Sequence, residues 1–196
     1  GPETFAQRSD HMGIGLVGRT LGSIGLGNIG AEVFRLCAPL NMRFIAHDPY
    51  LDTPSATALN VELTDLDTVF RESDFLSVNV PLSAETLHLV NKARLKLMKP
   101  SAYLVNTSRG PIVDEAALIE ALANGTIAGA GIDPYVVEPA TPDNPLFALP
   151  NILVSPHSAG VSEESIYRMG YCAAKNVADC FDGKLDPENV INGETI

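Results

Sequence analysis

Short apolar runs rich in β-branched residues alternate along this chain with longer segments whose apolar positions recur at helical spacing. Strands buried on both faces read as continuous apolar runs, and crossover helices show one apolar stripe, so the alternation predicts repeated β-α units and a parallel sheet. Six strands are predicted, at Thr20 to Ile24, Arg43 to His47, Phe75 to Asn79, Tyr103 to Asn106, Ile127 to Ile132 and Ile152 to Val154. Helices are predicted near Asn28 to Cys37, Leu66 to Glu72, Asn91 to Met98 and Asp114 to Ala123, with a long one from Ser162 to about Phe181. That order describes a doubly wound α/β fold of three layers, α/β/α.

Capping chemistry supports these boundaries independently. Asp114 precedes EAALIEALANG, with an acidic start for the positive helix end and Gly125 as the left-handed stop. Ser162 opens SEES, a capping-box spacing in which Ser165 replaces the usual Glu or Gln. Pro139, Pro142, Pro145 and Pro150 crowd residues 138–151, which predicts a stiff surface loop and no helix.

Composition narrows the partners. The 196 residues hold 24 acidic and 13 basic side chains, a net charge of −11. Nucleic acid or an anionic membrane would be bound through a basic face that this balance does not supply. No apolar run approaches the ~20 residues that span a bilayer, and GPETFAQRSD lacks the order of a secretory signal, so the chain reads as soluble. Gly1-Pro2 reads as a remnant of tag removal. Cys37, Cys172 and Cys180 have no metal-ligand spacing and read as buried free thiols in a reducing cytoplasm. Cys172 and Cys180, about two helical turns apart, suggest core packing on one face of the last helix.

The strongest chemical signal is Gly25-Leu26-Gly27-Asn28-Ile29-Gly30, between the strand TLGSI and the helix NIGAEVFRLC. Gly25 permits a tight turn, Gly27 admits a pyrophosphate close to the backbone, and Gly30 lets helix and strand pack closely. The amides of Asn28 and Ile29 face the phosphate oxygens. Alone such a motif is weak, and a plain glycine turn would read the same. Asp48, 18 residues beyond Gly30 at the end of RFIAH, strengthens it. A carboxylate there accepts from both ribose hydroxyls of an adenosine and repels a 2′-phosphate, which predicts NAD rather than NADP. The plainer reading of Asp48 is a turn residue before Pro49.

Arg109 in VNTSRG, Glu138 in DPYVVEP and His157 in SPHSAG each follow a predicted strand, at the carboxyl edge where open α/β sheets bind ligands. Together they suffice for acid/base work on an oxygen beside a carboxylate: an imidazole to move the proton, a carboxylate to orient it, and a guanidinium fork for an anionic substrate. Singly, Arg109 reads equally as a surface ion pair, Glu138 as a solvated loop charge and His157 as a satisfied buried histidine. A generic dinucleotide-binding oxidoreductase is the reading if Arg109 and His157 lie far apart.

The strings VGRTLGSIGLGNIG, NVPLSAETLHLVN, VNTSRGPIVDEAALIEAL, GAGIDPYVVEP and PHSAG, in this order and spacing, make the chain resemble the D-isomer-specific 2-hydroxyacid dehydrogenases over roughly Gly15 to Val161. The resemblance implies a Rossmann-like domain and an NAD-dependent enzyme that interconverts a D-2-hydroxy acid and its 2-keto acid. By position, His157 matches the family's acid/base, Glu138 its paired carboxylate, and Arg109 the residue holding the substrate's carboxylate and carbonyl. Asp133 matches the acid that bonds the nicotinamide carboxamide, and Val80, Pro81, Thr107 and Ser108 match positions lining the cofactor. Ser158, Ala159 and Gly160 match the segment closing around the nicotinamide. His11, His47 and His88 match no catalytic position.

Family members look like two-domain chains in which about a hundred residues of substrate domain precede the glycine motif. Here that motif begins at residue 25, and about 35 residues follow PHSAG. The expectation is a cofactor domain from residue 16 to 161, after a lead-in of residues 1–15 and before a return helix and tail from 162 to 196. Such a piece binds NAD with little turnover. The resemblance also implies a homodimer and leaves open an NAD-sensing interaction module like the family's corepressor branch.

Overall fold

A computed structural model of the chain describes residues 12–51 and 53–191. Gly1-Pro2 and His11 lie outside the described residues. Two compact units are distinguishable, one ending at His157 and the other beginning at Ser158.

The first unit is built on seven parallel strands in the order β3-β2-β1-β4-β5-β6-β7. They are β1 (Thr20–Ile24), β2 (Arg43–His47), β3 (Val61–Leu63), β4 (Phe75–Val78), β5 (Tyr103–Asn106), β6 (Gly129–Ile132) and β7 (Ile152–Val154). Its helices are α1 (Asn28–Cys37), α2 (Thr53–Thr57), α3 (Leu66–Glu72), α4 (Lys92–Leu95) and α5 (Glu115–Ala123). The strand order reverses between β1 and β4, which is the switch point of a doubly wound sheet.

Two cores lie on opposite faces. Ile24, Val69, Phe70, Leu76, Val78, Leu104 and Leu118 belong to the larger, under α3 and α5. Leu21, Ala31, Phe34, Phe44 and Ala46 belong to the smaller, under α1. Leu21 and Ile24 of β1 point to opposite faces and feed one core each, as the period of two demands, while Leu76 and Val78 of β4 feed the larger and Phe44 and Ala46 of β2 the smaller.

Caps fix the helix starts. Asp65, Asn91 and Asp114 accept from first-turn amides of α3, α4 and α5, and Gly125 takes φ +66° after α5. In the second unit, α6 (Glu163–Phe181) starts with the reciprocal Ser162 and Ser165 bonds expected from SEES. No helix among the described residues is long and apolar enough to cross a membrane.

Several expectations need correction. The edge strand β3 and the short α2 were not predicted. The strand expected from Ile127 starts at Gly129, the one expected to reach Asn79 stops at Val78, and the helix expected over Asn91 to Met98 is α4 with turns after it. The proline-rich loop contains a 3-10 turn, Pro145–Ala148, started by Asn144 and anchored by buried Leu146. Cys37, Cys172 and Cys180 are free, but Cys37 is only half-buried and the other two are exposed. One helix and a short turn cannot enclose an apolar face, and α6 has no buried residue.

Candidate functional site

Strand register builds the rim of the site. Ile24 pairs with His47 and Val78, Val78 with Asn106, Asn106 with Ile132, and Ile132 with Val154. The next residue in each segment is therefore Gly25, Asp48, Asn79, Thr107, Asp133 or Ser155, all along one carboxyl edge.

At the switch point, the glycine-rich turn is set by backbone sterics. Gly25 has φ +90°, and a Cβ there would lie 2.6 Å from the Asn79 carbonyl oxygen and 2.9 Å from Val80 Cγ1. A Cβ on Gly30 would lie 2.4 Å from the Gly25 carbonyl oxygen, so α1 packs on the turn only through glycine. A Cβ on Gly27, by contrast, would meet nothing within 4 Å. Gly27 is also the N-cap of α1 and brings no side chain to its first-turn amides, where Asn28 and Ile29 are exposed. The turn thus has the features that fit a dinucleotide pyrophosphate: an open cradle, uncapped amides and the positive end of a helix. Beneath it, Ser23 Oγ donates to the Gly25 carbonyl at 2.6 Å and accepts from Asn79 Nδ2 at 2.9 Å.

Asp48 stands beside this turn. Its Oδ2 accepts from the Leu26 amide at 2.8 Å and its Oδ1 from the Tyr50 amide at 2.9 Å. The second bond is the turn role before Pro49. The first ties the carboxylate to the glycine motif, and each oxygen keeps acceptor capacity for a ribose hydroxyl.

On the other half of the rim, His157 Nδ1 lies 2.9 Å from Glu138 Oε1 and 3.0 Å from Oε2. Glu138 Oε1 also accepts from the Tyr135 amide at 2.9 Å. The bond from His157, the Tyr135 amide and the nearby Arg109 charge hold the Glu138 carboxyl below the ordinary glutamate range. It is therefore ionised at neutral pH and only accepts, so Nδ1 carries the hydrogen and Nε2 is the ring atom left to exchange a proton. His157 is not a buried histidine: its side chain is 41% exposed. Its backbone has φ +53°, a left-handed conformation costing of order 1–2 kcal/mol for a residue with a Cβ, and its amide donates to the Asp133 carbonyl at 3.0 Å.

Arg109 is exposed at the end of β5, where its guanidinium donates to the Ser108 carbonyl at 2.6 Å and its charge reaches Glu138. Ser108 Oγ donates to the Val78 carbonyl at 2.6 Å, which ties this loop to β4. Val80 is half-buried against Gly25, while Pro81 and Thr107 are exposed. Asp133 is 4% exposed. Ser158, Ala159 and Gly160 belong to the second unit, where the Gly160 carbonyl accepts from Ser165 Oγ. His47 Nδ1 faces the Thr64 carbonyl, and His88 bonds through its amide to Pro111, so neither joins the rim group.

Three contributors escape sequence reasoning. Buried Asn106 donates to the Arg109 carbonyl at 3.0 Å and accepts from the Ser108 amide at 3.0 Å, shaping the loop that carries Arg109. A Cβ on Gly110 would lie 2.1 Å from the Tyr135 carbonyl oxygen, so this glycine brings the Arg109 loop against the loop of Glu138. The Tyr135 amide orients the carboxylate. The available signal was the polar Asn and the Gly that flank Arg109 at a strand end.

Residues 3–159 match the family model described as D-isomer specific 2-hydroxyacid dehydrogenase, NAD binding domain. The chain is 42% identical over 185 residues to a glyoxylate reductase of Korarchaeum cryptofilum, covering 94% of this chain and 55% of that protein. It is 40% identical over 186 residues to a D-3-phosphoglycerate dehydrogenase of Archaeoglobus fulgidus, covering 95% and 35%. Among solved structures, the NAD-complexed D-isomer specific 2-hydroxyacid dehydrogenase of Lactobacillus delbrueckii ssp. bulgaricus superposes with a TM-score of 0.84 at 32% identity, over 94% of this chain and 59% of that one. The chain thus spans from about a third to somewhat over half the length of these relatives. On the match over most of its length, the chain belongs to the D-isomer specific 2-hydroxyacid dehydrogenases, as their NAD-binding domain.

Proposed function

We propose that this domain serves an oxidoreductase acting on a small D-2-hydroxy acid and 2-keto acid pair, with Arg109, Glu138 and His157 as its catalytic side chains. The observation that carries the reading is the His157 Nδ1 to Glu138 bond on the same strand edge as the glycine turn and Asp48. Bound NADH would supply the hydride to C2 of the keto acid. Protonated His157 donates from Nε2 to the keto oxygen, and Glu138 holds the ring through Nδ1. Arg109 presents its guanidinium fork to the substrate carboxylate. Gly25, Gly27, Asn28, Ile29 and Gly30 hold the pyrophosphate and Asp48 the adenosine ribose. Val80, Pro81, Thr107, Ser108 and Asp133 line the nicotinamide end.

The cofactor domain is residues 16–161, and the segment from 162 onward returns toward a substrate domain. Exclusion of water from the cleft needs that second wall, so these 196 residues bind NAD with little turnover. The free thiols suit a cytoplasmic location, and the assembly is a homodimer, which light scattering tests. The deciding experiment titrates this chain with NADH and NADPH, then offers glyoxylate, hydroxypyruvate and pyruvate to the complete protein. NADH preference with reduction of a keto acid is expected. Tight NADH binding without turnover of any of them would favour a sensing module, and no binding would remove the reading.

A further inference from the structure

Ser155 directly follows β7 on the carboxyl edge of the sheet. Its hydroxyl donates to Asp133 Oδ1 at 2.6 Å, a short charge-assisted bond to a carboxylate that is 4% exposed. The segment carrying it is laced to the same strand end: the Ser155 amide donates to the Ile132 carbonyl at 3.1 Å and the His157 amide to the Asp133 carbonyl at 3.0 Å. Asp133 and Ser155 also line one groove of about 230 Å³ at the ends of β5, β6 and β7, together with Val105, Thr107, Gly131 and Leu153. Six of the eight lining positions alternate along their strands and share one face of the sheet, with Ile132 and Val154 completing the lining.

We infer that Ser155 is a positioning residue for the nicotinamide end of the cofactor: its hydroxyl locks the Asp133 carboxylate in the orientation that accepts from the carboxamide N–H. The inference rests on the proposed assignment of Asp133 to that group. The last side-chain bond of an aspartate is broad and two-fold, so a short bond to Oδ1 narrows the range over which its acceptor lone pairs point. Ser155 and His157 are two residues apart on one laced segment. The carboxamide acceptor and the acid/base ring are therefore set at a fixed separation by one short stretch of backbone.

The test titrates this chain with NAD+, with ADP-ribose, and with the 3-acetylpyridine analogue of NAD+, whose methyl ketone has no N–H to donate. The wild type should prefer NAD+ over the analogue by about tenfold. S155A and S155C should cut that preference at least about threefold while their ADP-ribose affinity stays within about twofold of wild type, because only the nicotinamide end is disturbed. S155T keeps a hydroxyl and should keep the preference. A wild type with no preference would remove the Asp133 assignment itself. A smaller cut in S155A or S155C with ADP-ribose binding intact would overturn the role of Ser155 alone. Equal loss of ADP-ribose and NAD+ affinity in both variants would make Ser155 a structural residue and overturn it as well.

Discussion

The two halves of the carboxyl rim are built by different means. At the switch point, the turn from Gly25 to Gly30 works through backbone, with its shape enforced by atoms that leave no room for a Cβ at two of three glycines. At the ends of β5 to β7 the proposed working groups are side chains, Arg109, Glu138 and His157, all exposed on loops; Arg109 and Glu138 bond to neighbouring backbone and His157 bonds to Glu138. The contrast teaches which changes each half tolerates. Where its glycines are packed, as Gly25 and Gly30 are, a backbone-made site fails together with the fold, whereas a side-chain-made site can lose its chemistry while the fold stands.

The largest expected effect tests the second half. His157→Ala in the complete protein should lower keto-acid reduction about a thousandfold while leaving NAD affinity within about twofold. Parallel loss of both in steady-state kinetics and cofactor titration would make His157 a structural residue. The first half should behave oppositely. Gly30→Ala forces a Cβ against the Gly25 carbonyl oxygen, a backbone atom that cannot swing away, and should cost roughly 3 kcal/mol in a denaturant titration. Gly27→Ala is the control within the same motif. Its Cβ meets no protein atom and its φ of −70° suits alanine, so the denaturation midpoint should hold while NAD affinity drops about tenfold. If Gly27→Ala unfolds the chain or leaves binding intact, Gly27 is not the open cradle of this turn.

That division also explains what the sequence reveals. The glycine turn, Asp48 and the caps Asp114 and Ser162 are legible because each acts within a few residues of a strand or helix end, where residue type and spacing carry the signal. The strand β3 is illegible because Val61–Leu63 is only three residues long and shows no period, and Pro54 hides α2. Asn106, Gly110 and Ser155 act on groups that the fold, not the chain order, places beside them. The buried reading of Cys172 and Cys180 failed for a related reason: helical spacing locates a shared face but does not say what covers it.

Acid sharpens the side-chain half. Glu138→Gln removes the charge that faces His157 Nδ1 but keeps the size of the group. Because the Glu138 carboxyl is depressed in the folded chain, its contribution to stability is present above the ordinary glutamate value of 4.5 and disappears as pH falls below it. The small excess in denaturation midpoint of wild type over Glu138→Gln should be visible at about pH 6 and should fade as pH falls through the depressed folded value of the carboxyl. An excess that persists at low pH would mean that the bond to His157 is not charge-assisted.

The smallest effect falls on Asp48, where the two halves of the comparison meet: a side chain that also holds the backbone turn. Its Oδ2 accepts from the buried Leu26 amide, so Asp48→Ala should cost about 1 kcal/mol of stability as well as altering the cofactor site. Asp48→Asn separates the two effects, because an amide oxygen still accepts from Leu26 but carries no charge. Both variants should bring NADH and NADPH affinities within about threefold of each other, by removing the repulsion of a 2′-phosphate, and only Asp48→Ala should lower the denaturation midpoint. Competitive titration of the three proteins with both dinucleotides reads this directly. A wild type that already binds the two equally would separate Asp48 from cofactor choice and leave it the turn residue before Pro49.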